Sequence, residues 1–182
     1  MDKRTLGVIV GSNRRESINR RLAKALVKLL DDRYDWKWIR IDDLPIYNQD
    51  LEGARPDVVN RFTAEVASVP ALFFVSPEYN RSIPAVLKNA IDWGSKPTDK
   101  QVWKGRVAAI TGTSFGAIGT AVGQQHLRQV LGILGMTVMG GEAYISFKPD
   151  PVDNDGNFLD DSKRAFCLAY MEQFAKLVER LT

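Results

Sequence analysis

Short, wholly apolar runs alternate along the chain with longer stretches in which apolar residues recur every three or four positions. The first run, Leu6 to Val10, is rich in β-branched residues and predicts a buried strand. Ile18, Leu22, Leu26, Leu29 and Leu30 then share one helical face, with Arg20, Arg21, Lys24 and Lys28 elsewhere, and Ser17 is a natural N-cap. Trp36 to Ile41 reads as an edge strand, because its apolar residues alternate with Lys37 and Arg40. The loop 42–55 is longer than the roughly 2–6 residues of an ordinary connector, a length more typical of functional loops. Pro56 and Asp57 open a second helix. Pro70 to Ser76 is another fully apolar run, and Pro84 begins a helix that runs to Trp93 and ends at Gly94.

A polar connection, 95–105, leads into a fourth strand, Arg106 to Thr111, then a Gly-rich loop from Gly112 to Gly119 and a helix to about Leu134. Thr137 to Ile145 supplies a fifth strand, and Phe147 to Leu159 reads as a surface loop. Asp161 or Ser162 caps a last helix whose apolar face is Phe166, Tyr170, Phe174, Leu177 and Leu181. Strand and helix therefore alternate five times, which right-handed crossovers convert into a parallel sheet with helices on both faces. The expected fold is α/β: a flavodoxin-like, doubly wound, five-stranded parallel sheet of order 2-1-3-4-5, in one domain spanning 1–182. Its ligand site would lie at the carboxyl ends of the strands, at the switch point between the first and third.

Composition narrows the function classes. At 182 residues, 45% hydrophobic and 26% charged, the chain suits a soluble globular domain with a sizeable core. Its net charge of +3 is spread out, except for Arg14, Arg15, Arg20 and Arg21. There is no basic stripe or nucleic-acid-binding motif, so small anionic ligands are the expected partners rather than nucleic acid. One cysteine and one histidine exclude a disulfide framework and a Cys- or His-based metal site. Neither a secretory leader nor an apolar run long enough to span a bilayer is present, which points to a cytoplasmic protein without membrane partners.

Three of the four arginines lie within the stretch G-S-N-R-R-E-S-I-N-R, which starts at Gly11 and leads from the first strand into the first helix, and Arg21 follows it. First-turn N–H groups lack intrahelical partners and the helix dipole adds partial positive charge, so such a loop is suited to a phosphate. Ser12 and Ser17 add hydroxyl donors, and Arg14 or Arg15 adds a charged fork. The loop has neither the glycine spacing of a dinucleotide fingerprint nor the Gly-Lys of a P-loop, and it has no nucleophilic cysteine. What remains suits a terminal phosphate monoester, such as that of a flavin mononucleotide. The loops after strands three and four open on the same edge, and there Tyr79 can pack on a flat ring and Asn80 can hydrogen-bond it.

This loop, together with L-P-I-Y-N-Q-D-L-E (44–52) and S-P-E-Y-N-R-S-I-P-A-V-L-K-N-A-I-D-W (76–93), resembles the NAD(P)H-dependent FMN reductase family. The similarity is greatest to its bacterial quinone, chromate and azo-dye reductase branch. The resemblance implies bound FMN, reduced by NADPH or NADH, and a soluble small-molecule electron acceptor served by a ping-pong mechanism. It places Ser12, Arg14, Ser17, Ile18 and Asn19 around the FMN phosphate, Pro77, Glu78, Tyr79 and Asn80 along the isoalloxazine, and Ser114 on the other side of the ring. It also implies a homodimer or homotetramer with flavin sites near the subunit interface.

No protein acid, base or nucleophile is obligatory, because the flavin carries the chemistry. Glu78 is accordingly expected to be structural, His126 to lie at the surface or a subunit interface, Cys167 to fill the core, and the four tryptophans to serve packing. The alternative function on the same fold is a flavodoxin-type electron carrier for protein partners. Such carriers are typically acidic and shield the flavin between aromatics. The pI near 9.0 and the lack of a second obvious aromatic beyond Phe115 in the third loop argue against it.

Overall fold

The computed structural model describes residues 3–182. In chain order its elements are β1 (Arg4–Val10), α1 (Ile18–Lys28), β2 (Tyr34–Trp38), α2 (Asp57–Ala67), β3 (Ala71–Val75), α3 (Ala85–Gly94), β4 (Val107–Ser114), α4 (Ala121–Ile133), β5 (Thr137–Val138), β6 (Tyr144–Ser146) and α5 (Asp161–Leu181). The strands form a parallel sheet of order β2-β1-β3-β4-β5, with β6 also pairing β4. This is the flavodoxin-like order that the alternating pattern predicts.

Each inner strand sorts its residues by parity. Leu6, Val8, Val10, Phe73 and Ala109 pack with α1 and α5, around Leu22, Leu26, Met171 and Phe174. Ile9, Leu72, Phe74, Ala108 and Ile110 pack with α2, α3 and α4, around Phe62, Leu87, Trp93, Trp103 and Leu131. Burial on both faces explains why the central strands are continuous apolar runs. Among the described residues, no helix is long and apolar enough to cross a membrane.

The fifth sheet position differs from the single strand expected over Thr137–Ile145. Two short strands fill it, parted at Gly140-Gly141: β5 pairs with Val107 and Ala108, while β6 pairs with Gly112 to Ser114. Ile110 faces the gap, and the Tyr170 hydroxyl fills it. That hydroxyl donates to the Ile110 carbonyl at 2.6 Å and accepts from the Ile110 N–H at 3.2 Å. Because β6 extends the pairing, β4 runs to Ser114, shortening the Gly-rich loop expected from Gly112.

Two further boundaries shift. The second strand begins at Tyr34 and ends at Trp38, and the α5 cap is Asp160, whose carboxylate accepts the Lys163 N–H at 2.9 Å. The segment 147–159 is more than a surface loop, since Phe147, Pro151 and Val152 are buried where it folds against α1.

Candidate functional site

The carboxyl ends of β1, β3 and β4 meet at Ser76. Gly11 follows β1, and its N–H donates to Val75 at 2.9 Å; a Cβ there would lie 2.5 Å from the Ser76 hydroxyl. A Cβ on Gly112 would lie 1.9 Å from the Ser76 carbonyl, a distance no side chain tolerates. Both glycines are required for close backbone approach, which brings the three loops to one edge at the switch point.

In the first loop, Ser12 and Ser17 are 5% and 4% exposed. The Ser12 hydroxyl accepts the Arg14 N–H at 3.4 Å, and the Ser17 hydroxyl caps α1 by accepting the Arg20 N–H at 3.3 Å. Neither hydroxyl proton has an acceptor among the described residues, and neither do the N–H groups of Ile18 and Asn19. Arg14 and Arg15 are exposed above them. Arg20 braces the loop by donating to the Ser12 carbonyl at 3.4 Å. Four buried or capping-position donors therefore converge beside exposed guanidinium groups, which is the donor set a phosphate requires.

The Asn19 side chain is committed elsewhere. It is 2% exposed, donates to the Thr113 carbonyl at 3.0 Å and accepts the Thr113 N–H at 2.9 Å. Arg21, also in the basic cluster, donates to Val152 O at 2.6 Å, sits 3.5 Å from Asp150 and lies over the Phe147 ring. Neither partnership has a local sequence signal, because the partners lie far along the chain.

In the second loop, Tyr79 and Ser82 exchange two backbone hydrogen bonds of 2.9 Å around a tight turn. Asn80 and Arg81 occupy its centre at φ 51° and 65°. Asn tolerates this left-handed region; Arg is strained there. The turn presents Tyr79, 50% exposed, at the sheet edge. Pro77 and Glu78 form its partly buried base. The Glu78 carboxylate turns to α4, accepting the Gly123 N–H at 2.9 Å in its first turn, with Arg81 at 3.4 Å on its other oxygen. His126 is exposed and its Nδ1 lies 3.1 Å from the Ser82 hydroxyl.

In the third loop, the Ser114 hydroxyl donates to Gly119 O at 2.6 Å and accepts the Gly116 N–H at 3.2 Å, tying the loop closed. Phe115 is half exposed, edge-on to Phe147 and beneath the Lys148 ammonium. The loop beginning at Leu44 is docked beside the edge by α3. Asn89 accepts the Tyr47 N–H at 2.7 Å and donates to Pro45 O at 2.9 Å, and the Trp93 indole donates to the same carbonyl at 2.7 Å. The K-N-A-I-D-W motif is thus the clamp for L-P-I-Y.

Residues 5–150 match the family model for NADPH-dependent FMN reductase. The chain is 41% identical over 174 residues to a 2-hydroxy-1,4-benzoquinone reductase of a Burkholderia species, covering 95% of each chain. It is 37% identical over 182 residues to an NAD(P)H-dependent FMN reductase of Pseudomonas aeruginosa, covering 99% of this chain and 97% of that one. Among solved structures it superposes on the flavoenzyme FerB, an NAD(P)H:(acceptor) oxidoreductase of Paracoccus denitrificans, with a TM-score of 0.94 at 37% identity over 98% of both chains. With the switch-point loops and the phosphate-type donor set already in place, these matches assign the chain to the NADPH-dependent FMN reductase family.

Proposed function

We propose that this chain is an FMN-dependent oxidoreductase that takes reducing equivalents from NADPH or NADH and delivers them by a ping-pong mechanism to a soluble quinone-type acceptor. The observation that carries the reading is the pair of buried hydroxyls, Ser12 and Ser17, whose protons lack acceptors beside the exposed Arg14. Leaving such donors buried and unused is costly, and a phosphate at the start of α1 satisfies them.

FMN, when bound, supplies the ability to accept two electrons from a nicotinamide and pass them on. The protein's share is position. Ser12, Arg14, Ser17 and the N–H groups of Ile18 and Asn19 hold the phosphate. Pro77, Tyr79 and Asn80 flank the ring, Glu78 fixes their loop to α4, and Ser114 holds the facing loop in shape. No side chain is asked to transfer a proton. The half-exposed Tyr79 and Phe115 leave the ring edge open to exchange of one substrate for the next, which suits a sequential use of one site. Exposed Ile46 and Ile133 supply apolar surface for a homodimer or homotetramer.

The test is the Ser12→Ala/Arg14→Ala double variant. It should purify with its bound flavin largely lost, whereas the parent should be yellow and give parallel double-reciprocal lines with NADPH and a benzoquinone. Undiminished flavin in the double variant would overturn the phosphate assignment, and intersecting lines would overturn the ping-pong order.

A further inference from the structure

Ile133, in the last turn of α4, is 84% exposed. It ends a stripe. Val122, His126, Gln129 and Ile133 follow one another at intervals of four, three and four, so they share one outer face of the helix. The α4 residues beside the stripe are engaged within the chain. Gln125 bonds to Glu142 and to the Tyr144 hydroxyl, and Arg128 donates to the Met139 and Gly141 carbonyls. The stripe itself makes one polar side-chain contact among the described residues, His126 Nδ1 to the Ser82 hydroxyl at 3.1 Å. The His126 Nε2 and the Gln129 carboxamide are left over.

Between this stripe and α3 runs a groove of about 390 Å³, walled by Ile83, Ala85, Val130 and the Lys88 stem. Asp92 holds the Lys88 ammonium at 2.7 and 2.8 Å, so the groove is locally neutral on a chain of net charge +3. A neutral face does not select a partner of opposite charge, and it lets a second copy of a like-charged chain approach. The stripe is also complementary to itself. Turned end over end about a two-fold axis between positions 127 and 128, each α4 sets Val122 against the partner's Ile133 and His126 against the partner's Gln129. Apolar then meets apolar at both ends, an imidazole N–H meets a carboxamide oxygen in the middle, and the helix dipoles run antiparallel.

We infer that a second copy of this chain docks on the α3–α4 face, α4 against α4 in antiparallel register, and that docking steadies the turn Tyr79–Ser82. The importance of that turn rests on the ring placement proposed above; the interface does not. The partner's Ile133 arrives at the Val122 end of α4. There a Cβ on Gly123 would lie 3.2 Å from the Ser82 carbonyl, and the Gly123 N–H is held by Glu78, so this end of the helix is the floor on which the turn sits. The partner's Gln129 fixes the imidazole whose other nitrogen meets Ser82. Tyr79 exchanges both its backbone hydrogen bonds with Ser82 and is therefore positioned by two subunits.

Sedimentation of the protein as purified tests the interface. The parent should run as a dimer or a larger even assembly. Ile133→Glu, at a position exposed enough for the fold to tolerate the charge, should weaken that assembly by about 100-fold or more, and Gln129→Ala by roughly 5- to 10-fold. Because Cys167 is buried, the register can be read by oxidation: Val122→Cys/Ile133→Cys should form an intersubunit disulfide that neither single variant forms. Amide exchange at Tyr79 and Ser82 should quicken severalfold in Ile133→Glu. A monomeric parent, or Ile133→Glu with the parent's mass, overturns the interface. A disulfide in either single variant overturns the antiparallel register, and unchanged exchange at the turn overturns the coupling. A monomeric parent that holds flavin and reduces a quinone leaves the proposed function standing, whereas a parent that assembles through this face and holds no flavin overturns that function and leaves the interface.

Discussion

Asn19 grips the backbone of Thr113 with both ends of its carboxamide, 3.0 Å to the carbonyl and 2.9 Å from the N–H. It thereby fixes the start of α1 against the end of β4, which helps hold the first and third loops at one edge. Asn19→Ala would leave two buried backbone groups without partners, a cost of about 2–3 kcal/mol. The thermal midpoint should fall by roughly 4–12 °C, and flavin retention should fall with it. Asn19→Asp keeps only the acceptor and brings a negative charge toward the phosphate, so its flavin affinity should be lower than that of Asn19→Ala. Equal flavin affinity in the parent and both variants would remove the clamp from the account.

Glu78 caps a helix and so should not behave as a proton donor. Its carboxylate accepts the Gly123 N–H at 2.9 Å, close to the positive end of the α4 dipole. Glu78→Ala should cost about 1–2 kcal/mol, and Glu78→Gln less, because the amide oxygen still accepts the bond. Both variants should keep the parent's pH profile for quinone reduction. Loss of one limb of that profile in Glu78→Gln would assign it a proton-transfer role instead.

How far these relationships were legible in the sequence depends on distance along the chain. Gly11, Ser12 and Ser17 lie within one strand–loop–helix unit, so the first loop and its cap follow from local chemistry. The sheet order follows from five alternations of period. The Asn19 clamp was hidden because Thr113 lies 94 residues away and nothing near Asn19 signals it. The split fifth strand was half visible: Gly140-Gly141 is a plain interruption, but the hydroxyl that fills the gap comes from Tyr170, 60 residues beyond Ile110. The 147–159 segment misled because its acidic and proline content outweighed Phe147 and Val152, the apolar side chains that pack it against α1. The Ser114 hydroxyl bonds within its own loop, to Gly116 and Gly119, a local tie that no spacing of residue types announces.

Arg81 holds φ at 65° in the Tyr79–Ser82 turn, a conformation that a residue with a Cβ adopts at a cost. Arg81→Gly should therefore stabilise the protein by about 0.5–1 kcal/mol. Strain of this kind persists where the side chain is useful, and this one is exposed at the mouth of the site. The same variant should raise the KM for NADPH severalfold and leave that for NADH unchanged, because a guanidinium at this position is suited to a 2′-phosphate. Steady-state kinetics with both nucleotides and a urea melt check the two halves separately. A parallel rise in both KM values would mean that Arg81 shapes the turn without reading the nucleotide.

Tyr170 closes the gap in the sheet only while it is protonated, because its hydroxyl must donate to the Ile110 carbonyl. Burial pushes it up to about 12, against the lowering effect of the Ile110 N–H. Burial also pushes the Cys167 thiol up to about 12. Both groups are neutral in the folded core and have folded values above their unfolded ones. Their contribution is therefore complete below pH about 9–10 and is lost as pH rises toward 12. Tyr170→Phe should cost about 2–3 kcal/mol at pH 7 by orphaning both Ile110 groups. It should also flatten the loss of stability between pH 9 and 11, with the remaining slope belonging to Cys167 and the other alkaline groups. Urea midpoints across that range decide it: if the parent and Tyr170→Phe lose stability with the same slope, ionisation of this tyrosine is not coupled to unfolding and its role at the gap is packing alone.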